Sequence, residues 1–190
     1  MLASSRLVAD MRGCGPRRPR ASIPVNYRRR FFSMKHRIAA GVLVEQEGRI
    51  LLVRHHKPGC YDFWVAPGGG AEGTEDLRDA ARREVREECG LDVEPLAIAY
   101  IEELIMGDCR ECKIWFTGRL LGGQLQTSSA AAAVEHIVDA AFLSRAEFTG
   151  KTVYPPVLLD DYWRERNQGF AHPRYLGVRD TLLATAPEVS

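Results

Sequence analysis

Glu84, Glu87 and Glu88 stand at i, i+3 and i+4 in the run REVREEC, with Gly68, Gly69 and Gly70 upstream and Gly90 just behind. On a helix those spacings put the carboxylates on one face, where like charges repel by roughly 0.2–0.5 kcal/mol per pair. Gly90 is a natural helix-ending residue, so Glu87 and Glu88 also lie beside the negative end of the helix dipole. Helix stability alone would place Lys or Arg there. A hard divalent cation, which prefers carboxylate oxygen and keeps several waters, turns the repulsion into coordination. Taken by itself, an acidic pair near a helix end also fits a solvated face, so the surrounding residues must decide.

Those residues form the pattern G-x5-E-x7-R-E-U-x-E-E-x-G-U, with U a bulky aliphatic, and Gly69, Glu75, Arg83, Glu84, Val85, Glu87, Glu88, Gly90 and Leu91 fill every fixed position. The stretch 69–91 therefore resembles the Nudix box of the Nudix hydrolase family, and the preceding FWVAPGG resembles the strand and turn that lead into it. So many specified positions at fixed spacing are far more specific than a lone glycine motif. The resemblance in pattern covers about residues 35–148; only the box and its lead-in are specific.

The resemblance implies an α+β chain folded as an α/β/α sandwich around a mixed β-sheet. It also implies hydrolysis of nucleoside diphosphates linked to another group, with Mg2+ or Mn2+ as cofactor. A phosphoanhydride is polyanionic and repels a water nucleophile until metal ions neutralise it and acidify the water. Carried onto matching positions, Glu84, Glu87 and Glu88 are metal ligands, the Gly69 carbonyl a further one, and Glu84 or an outlying Glu the general base. Glu75 and Arg83 read as supports, a planar guanidinium fixing carboxylates, or as an ordinary surface ion pair. Relatives often add a Glu from outside the box. Here Glu135 is the candidate, with Glu102 and Glu103 behind it, and a solvated loop acid is the competing reading for Glu135.

Substrate recognition is thinner. Arg54, His55, His56 and Lys57 form a basic cluster that could meet phosphates, with Arg54 and His56 the named candidates. Tyr61, Phe63 or Trp64 could stack on a base, although Phe63 and Trp64 also suit a core. Proline and tyrosine markers of ADP-ribose and diadenosine-polyphosphate subfamilies, expected about 15–18 residues beyond the box, are absent from 105–109, which weakens both assignments. Two other readings stay open: a nucleotide-sensing or partner-binding module that kept the fold, and an RNA 5′-end pyrophosphohydrolase.

The elements that must hold these residues are visible as periodicities. Apolar runs at 38–44 and 50–53 around 45–49 read as a hairpin. A turn at Pro58-Gly59 and a short strand through Trp64 lead to the box helix, for which Thr74 is the candidate N-cap. Leu77, Ala80, Ala81 and Val85 recur at helical spacing, packing one face on the sheet while the acidic face looks outward. Strands are expected at 93–105, 113–121 and 137–143, and a helix at 154–168 opening on Pro155-Pro156 and closing at Gly169. The domain is expected at 34–150, with 151–190 as a C-terminal helix and tail packed on it.

The chain has 190 residues, 45% apolar and 27% charged, ordinary for one globular domain. Its net charge of +1 is uneven: residues 1–33 carry eight Arg, no Lys and one acid, a net of +7, which leaves −6 for residues 34–190. The acidic remainder disfavours a broad nucleic-acid footprint, so the expected partner is a small-molecule nucleotide, with a homodimer left open. Residues 1–33 read as a disordered extension, without a role, as a basic arm, or as a transit peptide. No apolar run approaches the ~18 residues that cross a bilayer. Five cysteines without a secretory signal read as reduced thiols and the location as cytoplasmic, or organellar if 1–33 is a transit peptide.

Overall fold

The computed structural model describes residues 34–181, so the expectations for 1–33 and for 182–190 lie outside the described residues. The chain opens with β1 (Lys35–Gln46) and β2 (Arg49–Lys57), joined through Glu47 and Gly48, both at positive φ. Such a two-residue turn matches the twist of the paired strands. Then come β3 (Tyr61–Val65), β4 (Gly68–Gly70), helix α1 (Leu77–Cys89), and the long pair β5 (Leu91–Met106) and β6 (Cys109–Gly123). The chain continues through α2 (Ala130–Val134), β7 (Ile137–Ser144), β8 (Val153–Tyr154), α3 (Asp161–Glu165) and β9 (Arg174–Asp180).

The strands join in the order β8-β3-β2-β1-β6-β5-β9, with β4 added to β1 and β7 to β2. β1 runs parallel to β6 from Lys35 to Val44 and antiparallel to β4 and β2, so it belongs to both halves of the mixed sheet. Because side chains alternate across a strand, β1 and β2 feed two separate cores. Ala40, Val42, Val44, Leu51 and Val53 pack with Ala80, Ala81 and Val85 of α1. Leu43, Ile50 and Leu52 pack on the other face with Trp64, Tyr100, Trp115, Leu158 and Tyr162. The sheet is thus covered by α1 on one face and by the segment around α3 on the other, the α+β arrangement expected.

Two local expectations are corrected. The N-cap of α1 is Asp76, whose side chain accepts the Arg78 N–H at 2.8 Å, and not Thr74. Residues 72–75 close on themselves first: the Glu75 N–H donates to the Glu72 carbonyl at 2.9 Å and the Glu72 N–H to the Glu75 carboxylate at 3.0 Å. The helix expected at 154–168 is interrupted. Tyr154 pairs into β8, Pro156–Leu159 and Arg166–Gln168 are 3-10 turns, and only Asp161–Glu165 is α-helical. Val157, Leu158 and Tyr162 are buried in the second core on either side of the break, which falls at Asp160 with φ −145°, ψ −65°. α2 and the edge strand β9 were not anticipated.

Candidate active site

Helix α1 ends where Gly90 takes the left-handed conformation and returns its N–H to the Arg86 carbonyl at 3.0 Å. Its acidic face divides. Glu84 and Glu88 are buried, at 1% and 3% exposure, because β4 lies against them. The Gly68 N–H donates to Glu88 Oε2 at 3.1 Å. A Cβ on Gly69 would come within 2.5 Å of the Glu84 carboxyl carbon, so a larger residue here would displace that carboxylate. Glu87 stays at the rim with its side chain 37% exposed.

Arg83 neutralises the outer half of this face. It forks onto Glu75 with Nε and Nη2 both at 3.0 Å, donates Nη1 to Glu84 at 2.9 Å and to Glu87 at 3.2 Å, and reaches the Gly70 carbonyl at 3.0 Å. The Arg83 hydrogen bond holds the Glu75 carboxyl below its usual range. Glu75 and Arg83 therefore brace the loop, the helix and two of the box carboxylates at once.

Among the described residues no arginine is seen bracing the inner half in this way, although the Arg37 charge lowers Glu135. Glu135 reaches it from the end of α2, whose N-cap Ser129 accepts the Ala132 N–H at 2.9 Å and donates its hydroxyl to the Glu87 carbonyl, tying α2 to α1. Ligand atoms of His55, Glu88 and Glu135 lie within 4.8 Å of one another, all buried. Burial, then the Glu135 and Glu84 charges, push the Glu88 carboxyl well above its usual range. Burial and the Glu84 charge raise Glu135 to about 7. Burial lowers His55 to about 4 although its Nδ1 meets the Glu135 carbonyl at 3.0 Å. A neutral imidazole that donates from Nδ1 to this carbonyl keeps a lone pair on Nε2. Buried carboxylate oxygens, a close glycine main chain and one neutral imidazole form a donor set that fits a hard divalent cation.

The expected basic cluster does not stay together. β2 is irregular between Arg54 and His55, and such a bulge re-aims a side chain; His55 turns inward. Arg54 and His56 remain outside, both on Asp62, Arg54 through two hydrogen bonds at 2.8 and 2.6 Å and His56 at 3.4 Å. Trp64 is corrected, because alternation along β3 sends it into the second core while Tyr61 and Phe63 face the site. Tyr61 is 8% exposed and burial lifts its phenol to about 12. Glu103 pairs with Arg110 and Tyr175 away from the site.

Strand β6 supplies residues that were missed. Glu111, Lys113 and Trp115 share one face, opposite Arg37, Ala39 and Gly41 of β1. Lys113, 3% exposed, donates to the Gly68 carbonyl at 3.0 Å and lowers both Glu88 and Glu135. Arg37 lies against Gly70 and is held at 3.1 Å by Glu111, which is fully buried. The signal for them was the alternation E-C-K-I-W-F at 111–116, charges spaced by two inside an apolar central strand.

Comparison with known proteins gives one family. The model of the NUDIX domain matches residues 34–160. An 8-oxo-dGDP phosphatase NUDT18 of Danio rerio is 33% identical over 94 residues, covering 50% of this chain and 28% of that protein, so the match spans little more than a quarter of the relative's length. An RNA pyrophosphohydrolase of Caulobacter vibrioides is 32% identical over 137 residues, covering 64% of this chain and 78% of its own. Among solved structures, a NUDIX hydrolase from Nitrosomonas europaea superposes with a TM-score of 0.60 at 22% identity, covering 73% of this chain and 93% of that one. That likeness supports the fold alone. With the box complete in sequence and its acids gathered against β4, the chain belongs to the Nudix hydrolase family.

Proposed function

We propose that the protein hydrolyses a phosphoanhydride bond in a nucleoside diphosphate linked to another group, with Mg2+ or Mn2+ held by Glu84, Glu87, Glu88 and the Gly69 carbonyl. The observation that carries this reading is the set of buried acids Glu84, Glu88 and Glu135 against the glycine strand, in which Glu88 and Glu135 are denied the arginine that serves the outer acids. A bound divalent ion supplies charge neutralisation for the phosphates and a lower pKa for water. Glu135, near 7, accepts the proton of the attacking water, since a base works best with its pKa near the working pH. Glu84 is less suited to that role because Arg83 already engages it at 2.9 Å. Lys113 on the cavity wall, with Arg37 beside the glycine strand, offers positive charge to the phosphate oxygens, and Tyr61 and Phe63 offer faces for a base.

The relatives named above divide the substrate question between an oxidised guanine nucleotide and the 5′ end of RNA; the match to the RNA enzyme covers most of that relative and favours RNA as the second reading. A product screen with Mg2+ or Mn2+ against nucleotide derivatives, canonical and oxidised nucleotides and 5′-triphosphorylated RNA decides between them. Glu84→Gln and Glu88→Gln are run alongside. Turnover retained in both variants, or tight nucleotide binding without hydrolysis under saturating Mn2+, defeats the proposal.

A further inference from the structure

The cavity that begins at Glu88 and Glu135 continues as a space of about 100 Å3 bounded by β2, β3, β5, β6 and β9. Phe63, Tyr61, Leu104, Met106 and Tyr154 give it flat apolar walls, with Phe63 stacked on His55 at 5.1 Å and edge-on to Tyr154 at 5.7 Å. Its wall also carries an acid that the hydrolytic chemistry leaves unused. Glu102 of β5 is 3% exposed and faces Lys113 across the strand pair. Lys113 in turn binds the Gly68 carbonyl, so a single cross-strand pair links this acid to the glycine strand.

The two oxygens of Glu102 are unequally served. Oε1 accepts the Trp115 indole N–H at 2.8 Å, while Oε2 meets only Arg179 Nη2 at 3.5 Å, the outer limit of a hydrogen bond. Arg179 is drawn instead over the Tyr154 ring, 4.5 Å from its centroid, and its buried Nε has no hydrogen-bond partner. A buried carboxylate with spare acceptor capacity, beside a cation with a spare donor, stabilises most a ligand that completes both.

We propose that Glu102 reads the Watson–Crick edge of a guanine base seated in this cavity, so that the enzyme selects guanine nucleotides. The inference rests on the hydrolase reading above and adds a specificity-determining residue to it. A carboxylate only accepts hydrogen bonds. Of the common bases, guanine alone presents two adjacent donors, N1–H and N2–H2, with the O6 acceptor beside them for Arg179. Adenine and cytosine set a lone pair next to their single donor group, which would face a carboxylate oxygen, and uracil has one donor between two acceptors. Stacking on Phe63 and Tyr61 suits any base, so the discrimination falls to Glu102.

The test measures binding of the guanosine and adenosine α,β-methylene diphosphates by calorimetry, together with kcat/KM for matched guanine and adenine substrates, in wild type, Glu102→Gln and Glu102→Ala. The amide keeps an oxygen for the Trp115 indole, so Glu102→Gln is expected to fold with an unchanged melting temperature. Wild type is expected to prefer guanine by roughly 10- to 100-fold, as for one bidentate base contact. In Glu102→Gln the preference shrinks or inverts, because a carboxamide complements the donor and acceptor of adenine. A merely structural role for Glu102 would lower both affinities together and leave their ratio intact. That result, or no guanine preference in wild type, overturns the inference, even if hydrolysis is confirmed. Guanine-selective binding that Glu102→Gln abolishes upholds it, even if no hydrolysis is seen and the hydrolase reading fails.

Discussion

Glu84 and Glu88 occupy neighbouring turns of one helix and are almost equally buried, yet they live in opposite electrostatic surroundings. Glu84, with Glu75 and Glu87, is served by the Arg83 guanidinium; Glu88 shares its space with Glu135 and has Lys113 and one backbone N–H for relief. The outer group is a brace complete in itself. The inner group is held in a state that suits the protein only when further positive charge arrives. The difference shows that acid content does not locate chemistry here; the placement of one arginine does.

Removing an inner acid should have the largest effect. Glu88→Gln is expected to lower kcat by roughly 100- to 10,000-fold, the span of a lost catalytic group, while raising the melting temperature of the metal-free protein at pH 8 by about 2–4 °C for each kcal/mol of repulsion relieved. An unchanged or lower melting temperature would mean that the inner acids are not in conflict. Arg83→Ala should do the reverse to the outer group. It strands Glu75, Glu84 and Glu87 and is expected to cost about 2 kcal/mol in urea unfolding, less than a fully buried pair because the site is partly open.

The pH dependence of stability separates the groups by sign. Glu88 and Glu135 have folded values above the usual glutamate range, Glu135 at about 7. The native state therefore holds protons that the unfolded chain has released, and the stability they contribute is present in acid and lost as pH rises through about 7. Metal-free protein should melt at falling temperature between pH 5 and 8, and saturating Mn2+ should remove the decline, adding about 2.7 kcal/mol at a hundredfold excess over Kd. The smallest effect belongs to Glu75, whose folded value is depressed. Its contribution is present above the usual glutamate range and lost only as pH falls below it, so Glu75→Gln should alter the acid limb of the melting curve and leave the neutral region unchanged.

The acidic face of α1 was legible because helical spacing fixes a face without reference to the rest of the chain, and Gly69 only through its fixed distance from that helix in the sequence pattern. Lys113 and Arg37 were not, and His55 and Glu102 were named only in other roles, because strand neighbours come from register, and register is a property of the assembled sheet. The separation of His55 from Arg54 and His56 comes from one irregularity in β2, which no local composition announces. The 154–168 segment carried helix-start and helix-stop residues, and Val157, Leu158 and Tyr162 fit a helical stripe, so nothing in the local pattern announced the break at Asp160. β9 is a half-exposed edge strand without apolar alternation, and local sequence has little to say about such an element.

Trp115 forms part of the cavity wall and is also 1% exposed in the second core, where a Cβ on Gly41 would come within 2.3 Å of its ring. A single side chain thus serves two masters, and so does the glycine behind it. Any lineage retooling this pocket for a different base would find that wall closed to change, since altering it unpacks the core as well. The opposite rim, with Met106 and Arg179 of β5 and β9, carries no such double duty to the second core.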